Sequence, residues 1–139
     1  VKAFVSQVGS MDGRWAIANP KLRSLTFSQG MLRARGDIGY PEPNTKWGSL
    51  HGFPVLEKVM QYAPIEDIGR CDKVAKLFII AENEELFDNR DHAIRAYERA
   101  SGIKKLVTVK GIKHYGIYKE KRKEAQKLAI DWFMAHLKQ

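Results

Sequence analysis

Three stretches of the chain have the hydrophobic pattern of β-strands. Residues 1–8, "VKAFVSQV", and residues 104–110, "KKLVTVK", alternate between apolar and polar positions, and residues 73–81, "KVAKLFIIA", are almost continuously apolar. Alternation indicates a strand with one buried face, whereas a continuous apolar run is typical of a strand covered on both faces. Turn-forming residues 9–13, "GSMDG", end the first stretch. We therefore predict strands near residues 2–8, 74–81 and 104–110.

Apolar residues at helical spacing follow the second and third strands. In residues 88–102, Asp88 or Asn89 is suited to cap the start of a helix and Gly102 to end it. A closing helix carries one apolar stripe, made of Ala125, Leu128, Ala129, Trp132, Phe133 and Leu137. The order strand–helix–strand–helix predicts parallel strands and an α/β fold.

The region between the first two strands is less regular. Residues 40–54 hold three of the five prolines, which predicts a loop, and helical candidates lie on either side at residues 21–34 and 55–64. The chain thus divides into a strand and turn at residues 1–13, an insertion at 14–70, and an α/β core at 71–139. Four aromatic residues of the insertion are candidates to line an apolar pocket or to pack on the sheet: Trp15, Tyr40, Trp47 and Phe53.

Composition and charge narrow the classes of function. The net charge of +8 would suit nucleic acid, but the densest basic cluster, residues 119–127, is interleaved with acids and no nucleic-acid motif accompanies it. We therefore expect no nucleic-acid partner. No apolar run reaches the length of a membrane span, so we expect no membrane contact. Cys71 is alone and there is no secretion pattern at the N-terminus, which favours the cytoplasm. No pair of histidines has metal-ligand spacing, so we expect neither metal nor cofactor.

Candidate chemistry lies in the two loops that follow the second and third strands. One loop, residues 81–89, offers carboxylates, and the other, residues 111–118, offers His114. Because the carboxyl ends of parallel strands meet at one sheet edge, Glu84 or a neighbour is expected near His114. A carboxylate that orients an imidazole is two-thirds of a nucleophilic triad. Two alternatives stay open: a turn histidine bonded only to backbone, and a different acid among Glu82, Glu85 and Asp88.

Residues 77–118 resemble the C-terminal half of α/β-hydrolases, specifically the dienelactone-hydrolase-like branch. In "AENE", Ala81 replaces the usual glycine and Glu84 the usual aspartate of the family's G-x-x-D-type turn, and "IKHYGIY" matches its histidine loop. The opening residues 1–9 are similar to the strand that follows the nucleophile helix. The resemblance implies that Glu84 and His114 are catalytic, that residues 14–70 form a cap, and that the substrate is a small molecule with an acyl or carbonyl group.

The family's nucleophile elbow, G-x-S-x-G, is missing from these residues. Of the serines, only Ser28, in "TFSQG", keeps even the second glycine. We therefore expect a fragment of a longer serine-type esterase, whether engineered, processed or naturally truncated, that is inactive by itself. Its expected partner is the N-terminal half of the same fold, or a second copy. The alternative is a non-catalytic binding or interaction module derived from a truncated hydrolase.

Overall fold

The computed structural model describes residues 1–40 and 55–137. The loop predicted at residues 40–54, with Trp47 and Phe53, lies outside the described residues except for Tyr40. The chain forms two compact units, one of Val1–Met11 with Pro64–Gln139 and the other of Asp12–Ala63. Residues 64–70, which the sequence analysis included in the insertion, thus belong to the first unit. A cap function for the second unit stays a prediction.

The described elements are three strands and the helices and helical turns between and after them. In chain order they are β1 (Ala3–Gln7), α1 (Trp15–Ala18), α2 (Pro20–Ala34), α3 (Leu56–Val59), α4 (Pro64–Asp67), a 3₁₀ turn (Ile68–Arg70), β2 (Ala75–Ala81), a π-helical turn (Arg90–Ile94), α5 (Arg95–Arg99), β3 (Lys104–Val109), a 3₁₀ helix (His114–Tyr118) and α6 (Arg122–His136).

The three strands form one parallel sheet in the order β1-β2-β3. Val5 pairs with Leu77 on one side of β2, and Phe78 pairs with Leu106 on the other. The sheet confirms the predicted strands and the α/β class. Every residue of β2 is buried, as its continuous apolar run predicted.

Helices cover both faces of β2. Leu77 and Ile79 lie in a core cluster with Ala125 of α6, against which Leu128 and Trp132 also pack. Phe78 and Ile80 point to the other face, where they form a second cluster with Ala93, Ala96 and Ala100. Period-two alternation along a strand that is apolar except for Lys76 thus divides its side chains between two cores. Leu137, which the predicted stripe of α6 includes, is half exposed.

The helix after β2 begins near the predicted signals but ends before Gly102, at Arg99, with Ala100 in the C-cap position. Asn89 occupies the N-cap position without a side-chain capping bond, and the carboxylate of Asp88, one residue earlier, accepts the backbone N–H of Arg90 at 2.8 Å. Gly102 has φ +69°, and a Cβ there would lie 2.0 Å from the carbonyl oxygen of Asp72, so both conformation and space require glycine. The first turn of this helix is π-helical, which its apolar spacing did not predict.

The second unit is built around α2. The side chain of Asn19 caps it by accepting the backbone N–H groups of Lys21 and Leu22, and Pro20 occupies the first helical position. Arg33 of α2 forms an ion pair of 2.7 Å with Glu57 of α3. In the parts of the chain that the structure describes, no helix is both long and apolar enough to cross a bilayer.

A buried lysine lies at the amino end of β2. Lys76 is 0% exposed, and its ammonium donates to the carbonyl oxygens of Val74 at 2.7 Å, of Ser101 at 2.9 Å, and of Cys71. Burial lowers the pKa of this ammonium. Cys71 and Val74 lie just before β2, and Ser101 lies shortly before β3. The ammonium of Lys76 therefore connects the segments that precede these two strands.

Replacing Lys76 with methionine should lower the free energy of unfolding by about 2 kcal/mol, measured by urea denaturation. Methionine keeps the aliphatic stem but leaves the carbonyls without their donor. Lys104→Met is the matched control, because its ammonium also binds carbonyls, those of Tyr97 and Ala100, in a less buried place. We expect the control to lose less than about 1 kcal/mol. Unchanged or higher stability of Lys76→Met would contradict this account.

Candidate functional site

Backbone hydrogen bonds extend the pairing of β2 and β3 into the loops beyond them. The N–H of Glu82 donates to the carbonyl of Val109, and that of Asn83 to the carbonyl of Ile112, both at 3.0 Å. Gly111 turns the second loop with φ +72°, which glycine adopts without strain. The loop after β2, residues 82–89, therefore runs beside the start of the loop after β3, residues 110–114.

Glu84 and His114 are in contact, as the sequence analysis predicted. Both carboxylate oxygens of Glu84 lie 2.9 Å from Nδ1 of His114. The side chain of Glu84 is 2% exposed and that of His114 is 13% exposed. The backbone N–H of Leu86 also donates to Glu84, at 3.0 Å. The carboxylate is thus held by its own loop while it binds the imidazole.

This contact defines which imidazole nitrogen is available for chemistry. A carboxylate at Nδ1 favours the tautomer or charge state with a proton on Nδ1, so in the neutral ring Nε2 carries the lone pair. Within residues 1–40 and 55–137, no group forms a hydrogen bond with Nε2 of His114. The ring can therefore accept or return a proton at Nε2, the position used by the histidine of a triad.

Aromatic rings hold the imidazole from the sides. The ring of Phe87 lies 5.7 Å from that of His114 at 83°, and the ring of Tyr115 lies 4.9 Å away at 74°. Leu86 and Tyr115 are each more than half exposed. The exposed ring of Tyr115 therefore places apolar surface next to the histidine.

Each of the alternative acids has a different partner. Glu82 binds Nζ of Lys110 at 2.7 Å and the N–H of Gly111 at 2.8 Å, and these two contacts lower the pKa of its carboxyl. Asp88 binds the guanidinium of Arg90. Glu85 accepts the backbone N–H of His114 at 3.0 Å but does not contact the ring. Glu84 is thus the acid at the imidazole.

The other histidines of the described residues have partners of their own. His92 is buried, and its Nδ1 accepts the N–H of Met11 at 3.2 Å, with Oγ of Ser10 at 3.5 Å. The ring of His136 packs against that of Trp132 of α6 at a tilt of 55°, and His51 lies outside the described residues. A cavity of about 600 Å³ is lined by Glu84, Phe87 and Thr108 among others, but His114 is not among its lining residues.

Sequence reasoning missed two contributors to this arrangement. Phe87 also packs on His92, with centroids 4.6 Å apart, so that one ring supports both histidines. Glu85 binds the main chain of His114 rather than a side chain. Neither contact has a sequence signal of its own, because each depends on how the two loops meet.

No family model and no curated protein matches the chain. The fold and the geometry of the Glu84–His114 pair therefore carry the functional argument.

The acid loop, residues 82–89, contains a carboxyl, that of Asp88, whose contribution to stability depends on pH. The guanidinium and backbone N–H of Arg90 lower the pKa of Asp88 from its ordinary 3.8 to about 2. Since the carboxyl of Asp88 is more acidic in the folded chain, its stabilising contribution is complete above pH 3.8 and disappears as the pH falls towards 2. Carboxyl ¹³C NMR should give a pKa of about 2 for Asp88 and a higher one in Arg90→Gln. An unchanged pKa in that variant would contradict the assignment of the Asp88–Arg90 pair.

Proposed function

We propose that this chain carries the acid–base half of a serine-type α/β-hydrolase that cleaves an ester, thioester or related carbonyl bond. The observation that carries the proposal is the contact of Glu84 with Nδ1 of His114, which leaves Nε2 free at the carboxyl edge of a parallel sheet. The resemblance of residues 77–118 to dienelactone-hydrolase-like enzymes supports the same assignment.

In this mechanism His114 acts first as general base and then as general acid. Nε2 takes the proton of the nucleophile's hydroxyl while that oxygen attacks the carbonyl carbon, and it then gives the proton to the leaving group. Glu84 keeps Nδ1 protonated and stabilises the imidazolium that forms. The nucleophile would come from a segment outside these 139 residues, because none of the serines in the sequence lies in an elbow. The lone Cys71 suits a reducing compartment, which we propose is the cytoplasm.

The protein encoded by the intact gene should hydrolyse a simple activated ester, and a fluorophosphonate should label it at a serine upstream of Val1. His114→Ala should lower kcat by about 10⁶-fold and Glu84→Gln by about 10⁴-fold, since each removes one member of the triad. His136→Gln is the control, because it changes an imidazole on α6, and it should stay within about twofold. The absence of both labelling and hydrolysis would reject the enzyme and favour the interaction module.

A further observation suits the proposed partner, which is the missing half of the fold or a second copy of the chain. In the part of the chain that the structure describes, strand β1 pairs only with β2. The carbonyl of Lys2 accepts from Ala75 and the N–H of Val8 donates to Ile79, so the backbone groups of Ala3 and Val5, at the alternate positions, face away from β2. On α6, Ile130, Met134 and Leu137 form an exposed apolar stripe. An open edge and an apolar stripe suit a further strand and helix, either from the rest of the hydrolase fold or from a second copy.

Light scattering on the 139-residue chain should therefore show self-association through β1. Val5→Pro removes an N–H that faces the open edge, so it should weaken association at least roughly tenfold while β1 still pairs with β2. Val5→Ala keeps the N–H and controls for the lost side chain. If the wild-type chain is a monomer that unfolds cooperatively, the fragment hypothesis is wrong and an independently folding module is favoured.

A further inference from the structure

Four consecutive residues of the acid loop each bind the histidine loop. The bonds join Glu82 to Lys110 and Gly111, the N–H of Asn83 to the carbonyl of Ile112, Glu84 to the His114 ring, and Glu85 to the backbone N–H of His114. Two of the four thus hold His114: Glu84 binds its ring and Glu85 binds its main chain.

The hydrogen bond to Glu85 provides a partner for a backbone N–H that the 3₁₀ helix leaves without one. His114 is the first residue of the 3₁₀ helix His114–Tyr118, and the first N–H groups of a helix have no partner within it. The preceding residue, Lys113, makes no side-chain cap. Glu85, from a different loop, provides the acceptor at 3.0 Å.

We propose that Glu85 is a positioning residue for His114, an inference that rests on the proposed function. A carboxylate that binds only the ring leaves the main chain free to shift, and a shift of the main chain moves Nε2 with it. Glu85 fixes the main chain and Glu84 fixes the ring, so the direction of the Nε2 lone pair is set before a substrate arrives. Catalysis depends on such preset geometry at the level of about 1 Å.

The contribution of Glu85 is expected in geometry rather than in global stability. Its carboxylate is exposed, so water competes for it and its removal should hardly change the melting temperature. Its loss should instead speed the exchange of the Nδ1 proton of His114 with water. A single hydrogen bond of this kind corresponds to roughly three- to tenfold in that rate.

The experiment compares Glu85→Ala, Glu85→Gln and Glu98→Ala in the full-length protein. Imidazole ¹⁵N NMR follows the Nδ1 proton of His114, whose signal is identified by its loss in His114→Ala. Glu85→Ala should raise proton exchange roughly three- to tenfold and lower kcat by a similar factor with KM unchanged. Glu85→Gln keeps an acceptor oxygen and should return both to within about twofold. Glu98→Ala removes an equal charge from an exposed position on α5 and should change neither.

Glu84→Gln separates this inference from the proposed function. If Glu84→Gln alters the His114 signal but Glu85→Ala leaves exchange and kcat as in the wild type, the positioning role is wrong and the proposed function stands. If Glu84→Gln also leaves the His114 signal unchanged, the pair does not form in solution and both proposals are wrong. A lower melting temperature and a higher KM in Glu85→Ala, without rescue by glutamine, would show a general structural role instead.

Discussion

The parallel pairing of β2 with β3 is the constraint on which the candidate site depends. The strands run in the same direction in a fixed register, with Ala81 opposite Val109, so both end at the same level of the sheet. The first residues beyond them continue the pairing through Glu82 and Val109. Thirty positions separate Glu84 from His114 in the chain, yet a shift of one residue in this register would move the carboxylate away from the imidazole.

The sequence allowed the sheet and the acid–histidine contact to be predicted, because both follow from strong, local signals. The apolar run of β2 requires cover on two faces, and the residues after two neighbouring parallel strands must share an edge. The choice of Glu84 among four acids rested on the resemblance, in which Glu84 stands in place of the usual aspartate of the turn. The bond of Glu85 to the His114 main chain and the π-helical first turn at Arg90–Ile94 were beyond prediction, since each depends on the packing of the loops.

Electrostatics in the acid loop show how folding distinguishes chemically similar side chains. Glu82, Glu84, Glu85 and Asp88 lie within seven residues, and each binds a different group. The two outer acids, Glu82 and Asp88, bind Lys110 and Arg90 respectively, and these hydrogen bonds lower the pKa of both carboxyls. The outer acids are therefore ionised and occupied at neutral pH. This leaves the most buried carboxylate, Glu84, to act on the imidazole without competition from its neighbours.

The same geometry is the reason why we propose a chemical role for His114. Nε2 of this ring is not among the buried polar atoms that lack a partner in the described residues, so solvent reaches it. His114 has one nitrogen bound by a nearly buried carboxylate and the other without a hydrogen-bond partner in the described part of the chain. Its ring is still held on three sides, by Glu84, Phe87 and Tyr115. Holding a ring this firmly while leaving one basic atom free serves proton transfer better than it serves stability, and this is why we favour the enzyme over the interaction module.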